Sequence, residues 1–239
     1  MNGPTYDLVG DVHGCRSELE TLLARLGWAD GRHPEGRTAV FVGDLVDRGP
    51  DTPGVLRLVM GMVAAGTALC VQGNHEAKLV RALGGSHVRR SHGLQESLDQ
   101  LDAQPGRFRE QALAFMAGLP HQLALDDGRL VVAHAGLRED LHGSDSPRAR
   151  SFALYGDTTG RTDEYGLPER LPWQDDYHGD AVVVYGHTPV REARWVHNTI
   201  CLDTGVVFGG RLTALRYPER ELVSVPAERE WFAPARPLA

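Results

Sequence analysis

Asp11 and His13 stand two residues apart in YDLVGDVHG, Asp44 lies in GDLVDRG together with Asp47 and Arg48, and Asn74, His75 and Glu76 form GNHE. Further on come His134 in AHAG and His187 in YGHTP. Every potential ligand in this series is an oxygen or a nitrogen. On an extended segment alternate side chains share a side, so Asp11 and His13 can grip one cation together. Asp44 can reach the same ion and, through its other oxygen, a second one, which Asn74, His134 and His187 would complete. Mixed carboxylate and imidazole donors suit Mn²⁺, Fe or Zn²⁺, and a shared aspartate implies two ions roughly 3.5 to 4 Å apart. Each cluster alone has a plainer reading. Asp11-Val12-His13 would be an exposed turn, Asn74 a turn or helix cap, His134 and His187 interior hydrogen-bonded histidines, and Asp47 with Arg48 a surface pair. Five such clusters at five successive strand ends require five separate accidents, whereas one two-metal centre accounts for all of them.

The elements that must position these residues are legible as short apolar runs: YDLVG, TAVFVG, TALCVQG, LVVAHAG, AVVVYGH and TICLDTG. Nearly all run into Gly, Asp, Asn or His, as strands do when they hand side chains to a loop. CRSELETLLARLGW, with Leu19, Leu22, Leu23 and Leu26 on one face, and PGVLRLVMGMVAAG read as helices between the early strands. The alternation βαβαβ predicts an α/β fold, whose strand ends are where such sheets bind ligands. From about 79 to 119 the pattern is helical and polar, which predicts a small helical cap inserted between strands. HQLALDDGRLVVAHAG, with its Asp-Gly turn, and RLTALRYPERELVSVP read as antiparallel hairpins, so the second half is expected to supply a second sheet. The main domain is expected over 1–225, and the Pro-rich segment 226–239 as a poorly ordered or surface-hugging tail.

The chain carries 25 Lys and Arg against 32 Asp and Glu, a net charge of −7, so no global basic field exists to hold long nucleic acid. Three cysteines, Cys15, Cys70 and Cys201, are odd in number and widely spaced, which argues against a disulfide framework and a structural zinc site and for a reducing cytoplasm. No apolar run reaches the ~18 to 20 residues a membrane span needs, and MNGPTYDLVGDVHG has no signal-peptide pattern.

The order D-x-H, GDxVDRG, GNHE resembles the calcineurin-like metallophosphoesterases, in their phosphoprotein phosphatase branch. FALYGDTTG, VVYGHTPV and DTGVVFGGRLTALRYPE extend the resemblance over most of the chain, toward bacterial stand-alone asymmetric dinucleoside tetraphosphatases and the phosphatase domain of bacterial polynucleotide kinase-phosphatases. The resemblance implies a sandwich of two mixed sheets flanked by helices and two divalent ions, Mn²⁺ first with Fe, Zn²⁺ or Ni²⁺ as alternatives. It also implies direct attack on phosphorus by a hydroxide bridging them. Arg48 would clamp two phosphate oxygens. His75, oriented by Asp47, would assist the leaving oxygen. Glu76 would be either a support behind the ligands or a helix N-terminal carboxylate favoured by the dipole. Two departures stand out: Pro189 where many members of the superfamily have a second histidine, which fits the phosphoprotein branch, and Val206 where a cysteine is expected.

The segment 152–179 is too polar for a core and too aromatic for a linker, so it is expected to line the mouth of the site. Tyr155, Tyr165, Trp173 and Tyr177 offer stacking faces for a nucleobase, against the plainer reading that they pack the insert onto a sheet. Arg161 and Arg170 are candidates for distal phosphates, Asp203 is a further candidate for substrate binding, and Arg89, Arg90 and His92 form a second anion patch or a solvated helix face. The leading substrate is a small nucleotide, with dinucleoside tetraphosphate cut off-centre. The alternatives are a polynucleotide 3′-phosphatase with 2′,3′-cyclic phosphodiesterase activity, a protein serine/threonine phosphatase, and a metal-binding interaction scaffold. Arg48 and His75 argue against the scaffold, which needs neither.

Overall fold

Along each central strand the side chains alternate between two apolar layers, and this alternation sets the architecture of the computed structural model, which describes residues 3–236. The predicted βαβαβ opening is present as β1 (Tyr6–Val9), α1 (Arg16–Leu26), β2 (Thr38–Phe41), α2 (Thr52–Ala64), β3 (Ala68–Cys70) and α3 (Asn74–Leu83). There follow α4 (Leu94–Asp102), α5 (Gly106–Ala117), the hairpin β4 (Gln122–Leu125) and β5 (Leu130–Ala133), and α6 (Pro147–Tyr155). A small hairpin of β6 (Thr158–Thr162) and β7 (Pro168–Arg170) precedes β8 (Val182–Tyr185), β9 (Trp195–Val196) and β10 (Thr199–Cys201). The last strands are β11 (Arg211–Tyr217) and β12 (Glu221–Pro226).

Two mixed five-stranded sheets result, in the orders β12-β11-β1-β2-β3 and β4-β5-β8-β10-β9. In the first, β1, β2 and β3 run parallel and β11 is antiparallel to β1. In the second, β5, β8 and β10 run parallel, flanked by antiparallel β4 and β9. Both predicted hairpins form, but they divide between the sheets: β4 and β5 build the second, whereas β11 and β12 return to the first, because β11 pairs with β1 from Tyr6↔Tyr217 to Val9↔Ala214.

Leu8, Val40, Leu130, Val132, Val182 and Val184 meet between the sheets as the inner layer. Their neighbours Val9, Ala39 and Phe41 face outward into a layer shared with Leu19, Leu22 and Leu26 of α1 and Val55 and Val59 of α2. On the far side, Val131, Ala133 and Val183 pack against Ala149, Phe152 and Ala153 of α6. The helices of the predicted cap belong to the outer layer of the first sheet, through Leu79, Leu94, Leu98, Leu101, Ala112 and Met116. The tail as far as Arg236 hugs the surface: Trp231 N–H and Phe232 N–H donate to the Val207 carbonyl (3.0 Å each), and the Trp231 indole donates to Glu18 Oε1 (2.8 Å). Among the described residues no helix is long and apolar enough to cross a membrane.

Candidate active site

Six parallel strands end on one rim, and the loops that leave them carry the candidates: Asp11 and His13 after β1, Asp44 after β2, Asn74 and His75 after β3, His134 after β5, His187 after β8 and Asp203 after β10. The backbone must turn sharply to aim these side chains inward. His13 (φ 45°), Asp44 (49°), Asp47 (72°), Arg48 (72°) and His187 (71°) all lie in the left-handed region that non-glycine residues avoid. Two glycines make the approach possible. A Cβ on Gly73 would stand 2.2 Å from Asp44 Oδ1, and one on Gly186 would stand 1.8 Å from Asp11 Oδ1.

Asp44 lies at the centre. Its Oδ2 is 3.3 Å from His134 Nε2, 3.6 Å from His13 Nε2 and 4.0 Å from His75 Nε2, while Oδ1 accepts the His75 backbone N–H at 3.0 Å. Backbone carbonyls fix the imidazoles: His13 Nδ1 lies 2.8 Å from the Val46 oxygen and His134 Nδ1 lies 3.0 Å from that of Val42. A carbonyl only accepts, so Nδ1 carries the proton in both rings and Nε2 presents its lone pair inward. The His134 lone pair then faces Asn74 Oδ1 (2.9 Å), His187 Nδ1 (3.1 Å) and Asp44 Oδ2. Asp11 accepts the His187 N–H through Oδ2 (3.0 Å), and its buried Oδ1 has no hydrogen-bond partner among the described residues. Converging acceptors and an orphaned carboxylate oxygen fit divalent cations. Two groups of donors lie within 4.8 Å of one another, His13, Asp44 and His75, and Asp44, His134 and His187, with Asp44 common to both.

Charge crowding shifts the protonation of these groups. Burial, then Asp203 and Asp44, push Asp11 well above the usual carboxylate range. Burial lifts Asp203 to about 6. Burial acts against ionisation of Asp44 too, but His134, His75 and His13 outweigh it and hold its carboxyl well below the ordinary value. His13 and His187 are pushed down by burial, assisted by Arg48 and His134 respectively. The shifts of His13 and His187 favour deprotonated imidazoles, the form that binds a cation, whereas burial is outweighed at His134 by Asp44, which raises it.

On the open side of Asp44, His75 Nδ1 is 2.6 Å from Asp47 Oδ2, and Arg48 spans the site, Nη2 2.9 Å from His75 Nε2 and Nη1 2.6 Å from His13 Nε2. The Asp47 backbone N–H donates to Ser97 Oγ at 2.9 Å, which ties this loop to α4. Glu76 is fully buried. Its Oε2 accepts the N–H groups of Asp44 and Gly73 (2.8 Å each), and its Oε1 accepts those of Leu45 (2.7 Å) and Val46 (3.3 Å). Sequence alone leaves its role open between a support and a dipole cap. The geometry makes it the peg on which the Asp44 loop hangs.

The substrate-side candidates separate. Arg170 donates to Thr188 Oγ1 (2.9 Å) and lines two clefts beside the cluster. One, about 110 Å³, is walled by Arg48, His92, Leu167, His187, Phe208 and Phe232 and roofed by the tail at Pro234 to Arg236. The other, about 420 Å³, runs from Thr188 to Trp173 and Gly156. Trp173 is 7% exposed and packs edge-on against Phe152, Tyr177 and Tyr185. Arg161 is exposed and paired with Glu169 at 3.3 Å. Tyr177 is buried, whereas Tyr155 and Tyr165 are exposed. Asp203 is buried beside Asp11 and accepts the Gly205 N–H at 3.1 Å. The patch at 89–92 lies in a non-helical segment: Arg90 bonds Gln95, and His92 faces the cleft beside Arg48. The tail as a cleft wall escaped the sequence reading. The signal available was the aromatic pair Trp231-Phe232, which no solvated tail needs.

A two-sheet α/β sandwich carrying this donor set at its strand ends is that of a metal-dependent phosphohydrolase, and the chain belongs to the calcineurin-like phosphoesterase family, whose description matches residues 5–217. Within that family it is similar to a protein of Anoxybacillus flavithermus named bis(5′-nucleosyl)-tetraphosphatase PrpE (asymmetrical), 46% identical over 95% of this chain and 96% of that one. A protein of the same name from Halalkalibacterium halodurans is 47% identical over 94% of each chain. A crystal structure provisionally described as that of a diadenosine tetraphosphatase superposes with a TM-score of 0.70 at 29% identity, covering 94% of each chain.

Proposed function

We propose that this phosphohydrolase cuts dinucleoside tetraphosphates off-centre, giving a nucleoside triphosphate and a nucleoside monophosphate. The observation that carries the reading is the full-length similarity to two proteins of that name, joined to a donor cluster with a cleft of about 420 Å³ beside it. Asp11, His13, Asp44, Asn74, His134 and His187 would hold two divalent cations, Asp44 being common to both groups of donors, and Mn²⁺ fits the mixed oxygen and nitrogen donors. When bound, the cations neutralise phosphoryl charge and lower the pKa of water toward about 7.

The protein's own groups do the rest. Arg48, whose two terminal nitrogens already point at the cluster, forks onto phosphoryl oxygens and opposes the charge that builds there. His75 is held by Asp47 through Nδ1, so Nε2 is the atom that stabilises or protonates the departing oxygen. Water oxygen bonds to the α-phosphorus of one nucleotide and gives up a proton to solvent, the bridging bond to the β-phosphate breaks, and its electron pair leaves on the triphosphate. Three buried cysteines without a disulfide accord with work in a reducing cytoplasm.

The test compares kcat/KM on diadenosine tetraphosphate, a 3′-phosphorylated oligonucleotide and a phosphothreonine peptide, with products separated by chromatography. The tetraphosphate should lead and yield ATP and AMP. An oligonucleotide processed as well, or two molecules of ADP as products, would overturn the assignment.

A further inference from the structure

Asn74, Lys78 and Arg81 occupy positions i, i+4 and i+7 of α3, one face of the helix. A helix rises about 1.5 Å per residue, so this face carries cationic side chains about 6 and about 10.5 Å along the axis from a ligand of the metal cluster. A groove of about 280 Å³ opens along it, lined by Asn74, Lys78, Arg81, His87, Arg89 and, at its edge, Tyr155. No acidic side chain lines it, and among the described residues neither Lys78, Arg81 nor Arg89 takes part in an ion pair, although arginines elsewhere on the surface commonly do. Lys78 is steered by Ser91, to whose carbonyl oxygen (2.8 Å) and hydroxyl (3.2 Å) it donates. Tyr155 is 46% exposed, an uncommon position for a large ring in this protein. The cleft beside Arg48 sets Leu167, Phe208 and Phe232 among Arg170, Arg236 and His92, so it mixes rings with cations, whereas Lys78 and Arg81 of the α3 groove line up along one helix face.

We infer that the α3 groove is the polyphosphate arm of the site: Lys78, Arg81 and Arg89 bind the three phosphates that leave together, and Tyr155 offers its ring to the base beyond them. This rests on the tetraphosphate reading and deepens it. A cleft that mixes rings with arginines on one side of the cluster and a groove with Lys78 and Arg81 in a row along one helix face on the other make the two halves of a symmetric substrate inequivalent. The cut is therefore off-centre. Arg81 stands about 10.5 Å along the helix axis from Asn74, about the span of three phosphates, which is what the longer product needs.

The experiment uses the Mn²⁺-loaded enzyme at fixed free Mn²⁺. It measures KM for diadenosine tetraphosphate and the inhibition constant of inorganic tripolyphosphate against p-nitrophenyl phosphate turnover, for wild type, Arg81→Ala, Arg89→Ala and the double variant. Each lost charge-assisted contact should raise both constants about tenfold or more, and the double variant should be worse. Arg90→Ala, whose guanidinium bonds Gln95 outside the groove, is the control and should change neither by more than about twofold. Arg81 and Arg89 are exposed, so melting temperatures should not move. If wild type cuts the tetraphosphate and the variants keep both constants, the arm is overturned and the substrate reading stands. If wild type leaves the tetraphosphate intact yet tripolyphosphate competes and Arg81→Ala abolishes the competition, the arm stands and the substrate reading falls.

Discussion

Replacing Glu76 by glutamine changes one oxygen to an NH₂ group and nothing else in shape. In the native protein each oxygen of Glu76 accepts two backbone N–H groups. Whichever oxygen is replaced, two buried donors then face a donor. A hydrogen bond to a charged group contributes about 1.5–3 kcal/mol, so losing two costs about 3–6 kcal/mol. For a domain of this size that lowers the melting temperature by roughly 6 to 24 °C. The dipole alternative predicts far less, about 0.3–1 kcal/mol for an N-terminal carboxylate, so the magnitude decides between the two roles. The displaced loop also carries Asp44 and, beyond it, Asp47 and Arg48, and a shift of about 1 Å there should lower kcat roughly 10²-fold. Thermal unfolding by circular dichroism, metal content by mass spectrometry and turnover of p-nitrophenyl phosphate should be measured at pH 8, where even a carboxyl lifted to about 7 by burial is ionised. A Glu76→Gln protein that melts within about 2 °C of wild type with its metals and kcat intact would refute the reasoning.

Asp44→Asn, which blunts the oxygen shared by both donor groups, should lower bound metal from two ions per chain to one or none and cut activity roughly 10³-fold or more; two retained ions would contradict a shared ligand. His75→Ala should lose ~10²-fold or more on an alkyl phosphate but clearly less on a nitrophenyl ester, whose leaving group needs little protonation. Equal losses would remove the leaving-group role. Glu219 accepts from Arg37 (2.8 and 3.0 Å), and that bond holds its carboxyl below the ordinary value. A depressed carboxyl stabilises the fold above its unfolded pKa of about 4.3 and loses that contribution as pH falls through the lower folded value. Glu219→Gln should therefore flatten the fall of the urea midpoint between pH 5 and pH 3 relative to wild type, and an unchanged acid slope would count against the pairing.

The strand ends were legible because their chemistry is written locally: an apolar run of period two, a glycine, then a polar donor. That pattern places Asp11, Asp44, Asn74, His134 and His187 on one rim with no knowledge of sheet order. Sheet membership was less accessible. The β11–β12 hairpin joins the first sheet through backbone pairing with β1, and side-chain pattern does not encode partner choice. Trp173 and Arg161 show the other limit. Both sit in an aromatic, charged insert, but one ring is consumed by packing against Phe152 and Tyr185 and one guanidinium by Glu169. Composition reports what a side chain can do, and only its neighbours decide what it is left free to do. The i, i+4, i+7 run of Asn74, Lys78 and Arg81 was readable once GNHE was taken as the start of a helix and not the end of a strand.

The five left-handed residues at the rim, His13, Asp44, Asp47, Arg48 and His187, carry a consequence for heat tolerance. Each holds a backbone conformation that costs about 1 kcal/mol or more, and together they approach the ~5–15 kcal/mol that separates a folded domain from its unfolded chain. Glycine at any of them would relax the main chain and discard a side chain the reaction needs. Selection of variants for survival at high temperature, with no demand for turnover, should therefore concentrate substitutions at this rim. The hardiest descendants of this chain would be the ones that no longer cut phosphate.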